Sequence, residues 1–363
     1  MRHENKWEDW NRLATASKAR ELILAYGSNA TAYQILNPGF ERWFSDAGDV
    51  VVGYVRRGAW LVVGGEPVCR PDCLEAAIAE FEAFAAALSC NVCYVLAAEP
   101  IRKLLAHSDT HAVISIGAQP VWNPAEWPGQ VRVRRSFRAQ LHRSLNKGVY
   151  VEAVKATAWA RHPEIRRTLL EWLESRRLPP MHFLVEPEVL SGVVDDRLLL
   201  VARREERIIA FLVASPVAAC NGYLIEELAR SPRAPNGTSE LLIDAAMERF
   251  AKEGCEYATM GLVALASGTT ESNPLWLRWL MYIARAHANR FYNFRGLEKF
   301  RAKMNPSRWE RVYAISNERR FSPQALYAMG GAFSGISPIR AIGLAVAKGI
   351  REELLTLRRK LSK

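Results

Sequence analysis

The chain has 363 residues, 49% hydrophobic and 24% charged, a globular composition that excludes wholesale disorder. Its 49 basic and 38 acidic side chains leave a net charge of +11, which favours polyanionic partners and says nothing of fold. No run of eighteen apolar residues offers a membrane span, and the N-terminal MRHENKWEDWNRLATASKAR is too polar for a signal peptide. The expectation is a chain in the cytoplasm or peripheral on the inner membrane face.

Residues 17–26 predict a short helix entered at Ser17 and closed by Gly27. Two β-branched runs over 49–65, around Arg56, Arg57 and Gly58, predict a hairpin. An apolar helix follows at 74–89, then a strand at 91–98, a helix at 99–107 and a strand at 112–117. The order recurs: a strand at 149–154, a helix at 163–177, and a hairpin over 197–217 turning at Glu205 and Glu206. A strand at 221–228, a helix at 238–253 and a strand at 256–262 complete it. Two units of like order predict an α/β fold with mixed sheets in tandem repeat, divided as 1–130 and 131–320. A further helix is predicted over 274–290. The tail 321–363 reads as helical and cationic, either docked on the body or lying on a membrane surface.

The positive charge is concentrated. Residues 131–150 hold six Lys/Arg and no acid, and residues 295–311 hold six with two acids. In 134-RRSFRAQLHRSLNKGV-149, Phe137, Leu141 and Leu145 form an apolar stripe. Arg135, Arg138 and His142 lie on a neighbouring face, with Arg143 and Lys147 beyond. Such a helix suits a nucleic-acid phosphate backbone.

In 234-APNGTSELLIDAAMERFAKEG-254, Pro235, Asn236 and Gly237 form a turn, and Thr238 or Ser239 caps the following helix. Glu240 stands in its first turn, either as a simple capping charge or as a carboxylate for a substrate ammonium; Asp244 and Glu248 continue its row as solvated positions. Strand alternation in 223-YLIEELAR-230 puts Glu227 with Tyr223 and Ile225, and Glu226 with Leu224 and Leu228. One glutamate is then interior, as ion-paired structure or as a ligand site, with Arg230 available as its partner. In 294-FRGLEKFRAKMNPSRWERVYAI-315, six cations interleave with Phe294, Leu297, Phe300, Met304, Trp309 and Tyr313. Arg301 and Lys303 share a side if the run is extended. The pairs Cys69/Cys73 and Cys90/Cys93 read as reduced, partly buried thiols rather than a zinc site. No Walker loop, HExxH or GxSxG occurs, and no cofactor or metal is expected.

These segments together resemble the C-terminal, catalytic part of bacterial phosphatidylglycerol lysyltransferases, also called multiple peptide resistance factors. The likeness covers about 20–316. It rests on Tyr26-Gly27-Ser28-Asn29, Gly65-Glu66-Pro67, the basic helix, APNGTSELLIDAA, MGLVALASG and GLEKFRAKMNPSRWERVY. It implies two GNAT-like domains in tandem, the second carrying the active site. It also implies transfer of an amino acid from aminoacyl-tRNA to a lipid hydroxyl such as that of phosphatidylglycerol. Transfer to a soluble small molecule or peptide, or an acyl-CoA-dependent acetyltransferase, is the alternative. Three positions depart from the family pattern. Phe300-Arg301-Ala302-Lys303 replaces Phe-Lys-x-Lys, Glu240 replaces an aspartate, and Val263-Ala264-Leu265 replaces Ala-Pro-Leu.

On that reading Arg301 and Lys303 meet the ester carbonyl or the lipid phosphate, and Glu240 first, then Glu226 or Glu227, holds the donor's ammonium. Glu226, Glu227, Arg230, Asn236, Gly237 and Arg311 bind substrate, and Arg135, Arg138, Arg143 and Lys147 bind tRNA. The acceptor implies an anionic phospholipid partner.

Overall fold

In the computed structural model, residues 2–106, 108–176, 181–264, 266, 268–269, 271–287 and 294–335 are described. His107, Leu265 and the tail beyond 335 lie outside them. The first unit contains α1 (Arg2–Tyr26), a 3-10 helix Ala32–Leu36, β1 (Glu41–Phe44), β2 (Val51–Arg57), β3 (Trp60–Gly64), α2 (Leu74–Ala87), β4 (Asn91–Ala97), α3 (Glu99–Leu105) and β5 (Ala112–Trp122). The second contains α4 (Arg135–Leu145), β6 (Tyr150–Lys155), α5 (Ala156–Trp159), α6 (Pro163–Glu174), β7 (Leu198–Arg204), β8 (Arg207–Val217), β9 (Gly222–Arg230), α7 (Thr238–Lys252), β10 (Tyr257–Thr259) and β11 (Val263–Ala264). Then come α8 (Leu275–His287), α9 (Phe294–Ala302), β12 (Arg308–Ser316) and α10 (Pro323–Ser334).

Among the described residues, the twelve strands join one mixed sheet in the order β1-β2-β3-β4-β12-β5-β10-β9-β8-β7-β6, with β11 pairing β5 beside this path. Each unit contains one parallel pair joined by a crossover helix, β3/β4 through α2 and β9/β10 through α7. The other pairings are antiparallel, so the order of one parallel pair with its crossover helix occurs twice. The units are not merely adjacent. β12, from the end of the chain, lies between β4 and β5 of the first unit. β5 carries β12 on one edge and β10 and β11 on the other.

Four apolar layers cover the sheet. α1, α8 and α10 share one core with the 3-10 helix, α2 and α3 a second, α4 and α7 a third, and α6 a fourth. α10 buries Ala325, Ala328 and Ala332 on the body, so this part of the expected tail docks. No helix among the described residues is long and apolar enough to cross a membrane.

Three local expectations change. The predicted helix at 17–26 begins at Arg2. The stretch 294–315 is a helix, a turn and a strand, so Arg301 and Lys303 do not share one side of an extended run. Its apolar residues also divide between units: Phe300 and Met304 pack with α7, whereas Tyr313 packs with α2 and α3.

Candidate active site at the open end of β9 and β10

β9 and β10 are paired only from Gly222↔Tyr257 to Leu224↔Thr259. A Cβ on Gly222 would lie 1.9 Å from the Tyr257 carbonyl oxygen, so the close approach requires glycine. Beyond Thr259 the chain turns away toward β11 while β9 continues along β8 to Arg230. The parallel pair therefore opens at its carboxyl end, where ligands of open α/β sheets bind.

β9 contains a bulge at this opening. Val213 pairs with Glu227 and Ala214 with Ile225, which leaves Glu226 as the extra residue. Ile225 and Leu228 pack toward α7, while Ala229, two residues past Glu227, packs toward α6. The bulge shifts the alternation by one. Glu226 and Glu227 thus face the same side, against the expectation that they point apart.

The environment of the two carboxyls is buried. Arg197 Nε donates to Glu226 Oε1 at 2.6 Å, with side-chain exposures of 0% and 4%. Arg197 also donates to Asn37 Oδ1 at 2.6 Å and to the Val193 carbonyl. Gln34 Nε2 donates to Glu226 Oε2 at 3.0 Å and lies 3.4 Å from Ser215 Oγ. The ion partner of Glu226 is therefore Arg197, not Arg230. The first unit supplies the rest through Gln34 and Asn37, and Arg20 and Tyr33 bind the neighbouring Asp196.

Glu227 is 5% exposed, and its Oε1 has no hydrogen-bond partner. Burial, then the charge of Glu226, pushes its carboxyl well above the usual range. Gln34 Oε1 and Asn37 Nδ2 are likewise buried and unpartnered. A buried carboxyl and a buried amide oxygen with unused acceptor capacity suit a group that donates several hydrogen bonds, such as an ammonium.

The other sequence candidates lie on the α7 side. Lys303 Nζ is 3.9 Å from Glu240 Oε1, so the structure brings these two together. Arg301 Nη1 donates at 2.8 Å to the carbonyls of Gly261 and Leu262. These two bonds fix the segment following β10. Trp122 Nε1 and Arg134 Nη1 hold the carbonyls of Met304 and Lys303 at 2.8 and 3.1 Å, which sets the turn that carries Lys303. Asn236 and Arg311 are exposed, and Arg230 ends β9. Asp244 and Glu248 are not simply solvated. Trp127 and Arg132 hold Asp244 at 2.8 and 2.6 Å, and Arg132 also pairs with Glu248.

α4 lies across the start of α7. Its buried positions are Phe137 and Ser144, with Ser144 Oγ 3.3 Å from Thr238 Oγ1; Leu145, expected in the apolar stripe, is 49% exposed. Gly237 has φ +95°, and a Cβ there would lie 2.0 Å from the Gln140 carbonyl oxygen. The helix start that would cradle a cofactor pyrophosphate is covered by α4, which counts against the acyl-CoA alternative. Gly237→Ala is expected to cost at least about 2 kcal/mol, from the left-handed backbone and the overlap with Gln140 together. A denaturation midpoint equal to that of wild type would contradict this packing. Arg135, Arg138 and Arg143 are exposed on α4, and Lys147 is exposed in the turn just after it.

Sequence reasoning missed Arg197, Gln34 and Asn37. They reach the site from other elements, and no spacing links them to β9. The quoted motifs around Asn29 and Glu66 meet at the corresponding end of the first unit. There the Ala98 N–H donates to Glu66 at 3.3 Å and the Asn29 amide to the Leu96 carbonyl at 2.9 Å. Burial pushes the Glu66 carboxyl up to about 7.

Comparison with known proteins gives the following. Residues 20–316 match the family model described as phosphatidylglycerol lysyltransferase, C-terminal. A phosphatidylglycerol lysyltransferase of Staphylococcus haemolyticus is 19% identical over 313 residues, 84% of this chain and 36% of that protein. The chain thus spans about a third of the length of the curated relatives it matches. Among solved structures, the C-terminal domain of a lysylphosphatidylglycerol synthetase from Agrobacterium fabrum superposes with TM-score 0.73 at 18% identity, covering 89% of this chain and 98% of that one. L-PGS from Bacillus licheniformis gives 0.70 at 20% identity, covering 92% and 96%. At these identities the structural likeness shows the fold.

Proposed function

Since this chain belongs to the phosphatidylglycerol lysyltransferase C-terminal family, we propose that it transfers an amino acid from aminoacyl-tRNA to a hydroxyl of phosphatidylglycerol. The carrying observation is the buried, same-facing pair Glu226 and Glu227, the second without a partner at Oε1, at the open end of β9 and β10. In a chain of net charge +11, a buried carboxyl with unused acceptor capacity favours a cationic group, and an aminoacyl ester carries one in its α-ammonium.

The lipid hydroxyl oxygen attacks the ester carbonyl carbon, the new ester bond forms, and the bond to the tRNA ribose oxygen breaks. The proton lost by the attacking hydroxyl ends on that ribose oxygen, so the exchange balances without a further reactant. Glu227 receives the ammonium, and the incoming charge favours its ionised form. Glu226, fixed by Arg197, adds negative potential beside it. Lys303, set by its turn and paired with Glu240 at the start of α7, is the cation assigned to the charge that develops on the carbonyl oxygen, which requires the ester to reach round the end of β9. Arg301 positions the strand end opposite. The exposed cations of α4 take the RNA phosphates.

The test is transfer of labelled amino acid from charged tRNA to phosphatidylglycerol vesicles by the purified protein. Label should enter the organic phase, and RNase treatment should abolish it. Lys303→Ala should lower kcat/KM about a hundredfold with the fold intact by circular dichroism. Absence of labelled lipid, or transfer that survives RNase, would reject the reading.

A further inference from the structure

We infer that the exposed face of α8 docks this protein on an anionic phospholipid bilayer, an inference that rests on the lipid acceptor proposed above. α8 is held by a narrow stripe. Leu277 is fully buried and Met281 packs against the same core. Just before the helix, the Asn273 side chain bonds both the N–H and the carbonyl of Ser115 at 2.8 Å.

The opposite side is open. Leu275 is 79% exposed, Trp276 40%, Trp279 67%, Leu280 39% and Tyr282 73%, and Arg278 is exposed among them. At about 100° per residue, Leu275, Trp279 and Tyr282 line up along the helix. Trp276 and Leu280 flank them on one side and Arg278 on the other. A single exposed apolar residue needs no explanation, but five on one face mark an interaction surface.

The chemistry of the face selects a bilayer. Trp and Tyr combine a large apolar ring with one polar group, and both concentrate at membrane–water boundaries. Arg278 stands on this face and the helix sequence LWLRWLMYIARAH holds no acid, which complements anionic headgroups. At about 1.5 Å per residue the helix is near 20 Å long, too short for a hydrocarbon core of about 30 Å, so it would lie in the interface plane. The open side chains offer on the order of a few hundred Å², short of the roughly 800 Å² per partner of a standard protein–protein interface.

The experiment is co-sedimentation of the full chain with phosphatidylglycerol/phosphatidylcholine vesicles and with pure phosphatidylcholine vesicles. It compares wild type with Trp276→Ser/Trp279→Ser and with Arg278→Glu. Both changes lie at exposed positions, and circular dichroism checks the fold. Wild type should prefer the anionic vesicles. The double variant should bind them at least tenfold more weakly, and Arg278→Glu should lose much of the anionic preference. Transfer to a short-chain, monomeric phosphatidylglycerol should be unchanged in the double variant. Wild type that does not sediment, or variants that sediment like wild type, would overturn the inference. So would variants that alter only the self-association seen by analytical ultracentrifugation, since a second copy of the chain would then occupy the face. Failure of monomeric-lipid transfer in wild type would instead count against the proposed reaction, leaving the vesicle result to decide the docking face.

Discussion

Replacing Glu227 with Gln is expected to make the protein more stable and less active. Glutamine keeps the shape of the side chain but carries no charge to bury. In wild type the Glu227 pKa is raised above its ordinary value of 4.5 by burial and then by Glu226. The native state therefore holds this proton more tightly than the unfolded chain. The stability it contributes is fully present below about pH 4.5 and is lost as pH rises through the raised native value. Wild-type Tm should fall across that window, whereas Glu227→Gln should show a flatter profile and melt at least about 2 °C higher at pH 8. The same change removes a charged acceptor for the ammonium, so kcat/KM for transfer should drop roughly ten- to hundredfold. A variant that is both less stable at pH 8 and fully active would refute the assignment of Glu227.

Arg197→Met is expected to produce the largest loss of stability. Arg197 bridges Glu226, Asn37 and the Val193 carbonyl with no solvent exposure of its side chain. Removing it strands the Glu226 carboxylate in a dry site, at a cost of about 3–5 kcal/mol. Glu226→Leu alone should cost a similar amount by stranding the guanidinium. The double variant should recover much of the loss, because replacing both charges by apolar groups leaves neither uncompensated. The check is a double-mutant cycle by chemical denaturation. A single-variant loss below about 1 kcal/mol would mean that water reaches the pair.

The two predictions separate two uses of neighbouring glutamates. Glu226 is neutralised within the protein and serves as structure and as a source of potential. Glu227 has no such partner at Oε1, and that unused capacity fits a site made for an incoming cation.

The amphipathic periods were legible because each depends on residues close in the chain. α2, α4, α7 and the hairpin β7/β8 stand close to where apolar spacing and turn residues put them. The family motifs were legible for the same reason, as short strings in a fixed order. β12 was not legible as a strand of the first unit. Its Arg308, Glu310 and Arg311 interleave charge with Trp309 and Tyr313, and the gap between β4 and β5 selects an extended conformation there. Of the candidate residues, Glu240 and Lys303 were singled out separately, one as a carboxylate and one as a cation, and they approach each other. Arg301 was found as a cation, but its partners are backbone carbonyls that have no signature in a sequence.

The sequence by itself thus determined the repeated α/β order, the family, and which carboxylates and cations were available. The tertiary structure decided which way they face. One inserted residue in β9 puts both glutamates on the same side, because side-chain direction in a strand depends on the count of residues between cross-strand hydrogen bonds. It also decided which charges are already answered. Arg197 neutralises Glu226 from 29 positions away and Asn37 holds Arg197 from 160, separations set by packing and invisible to any local pattern.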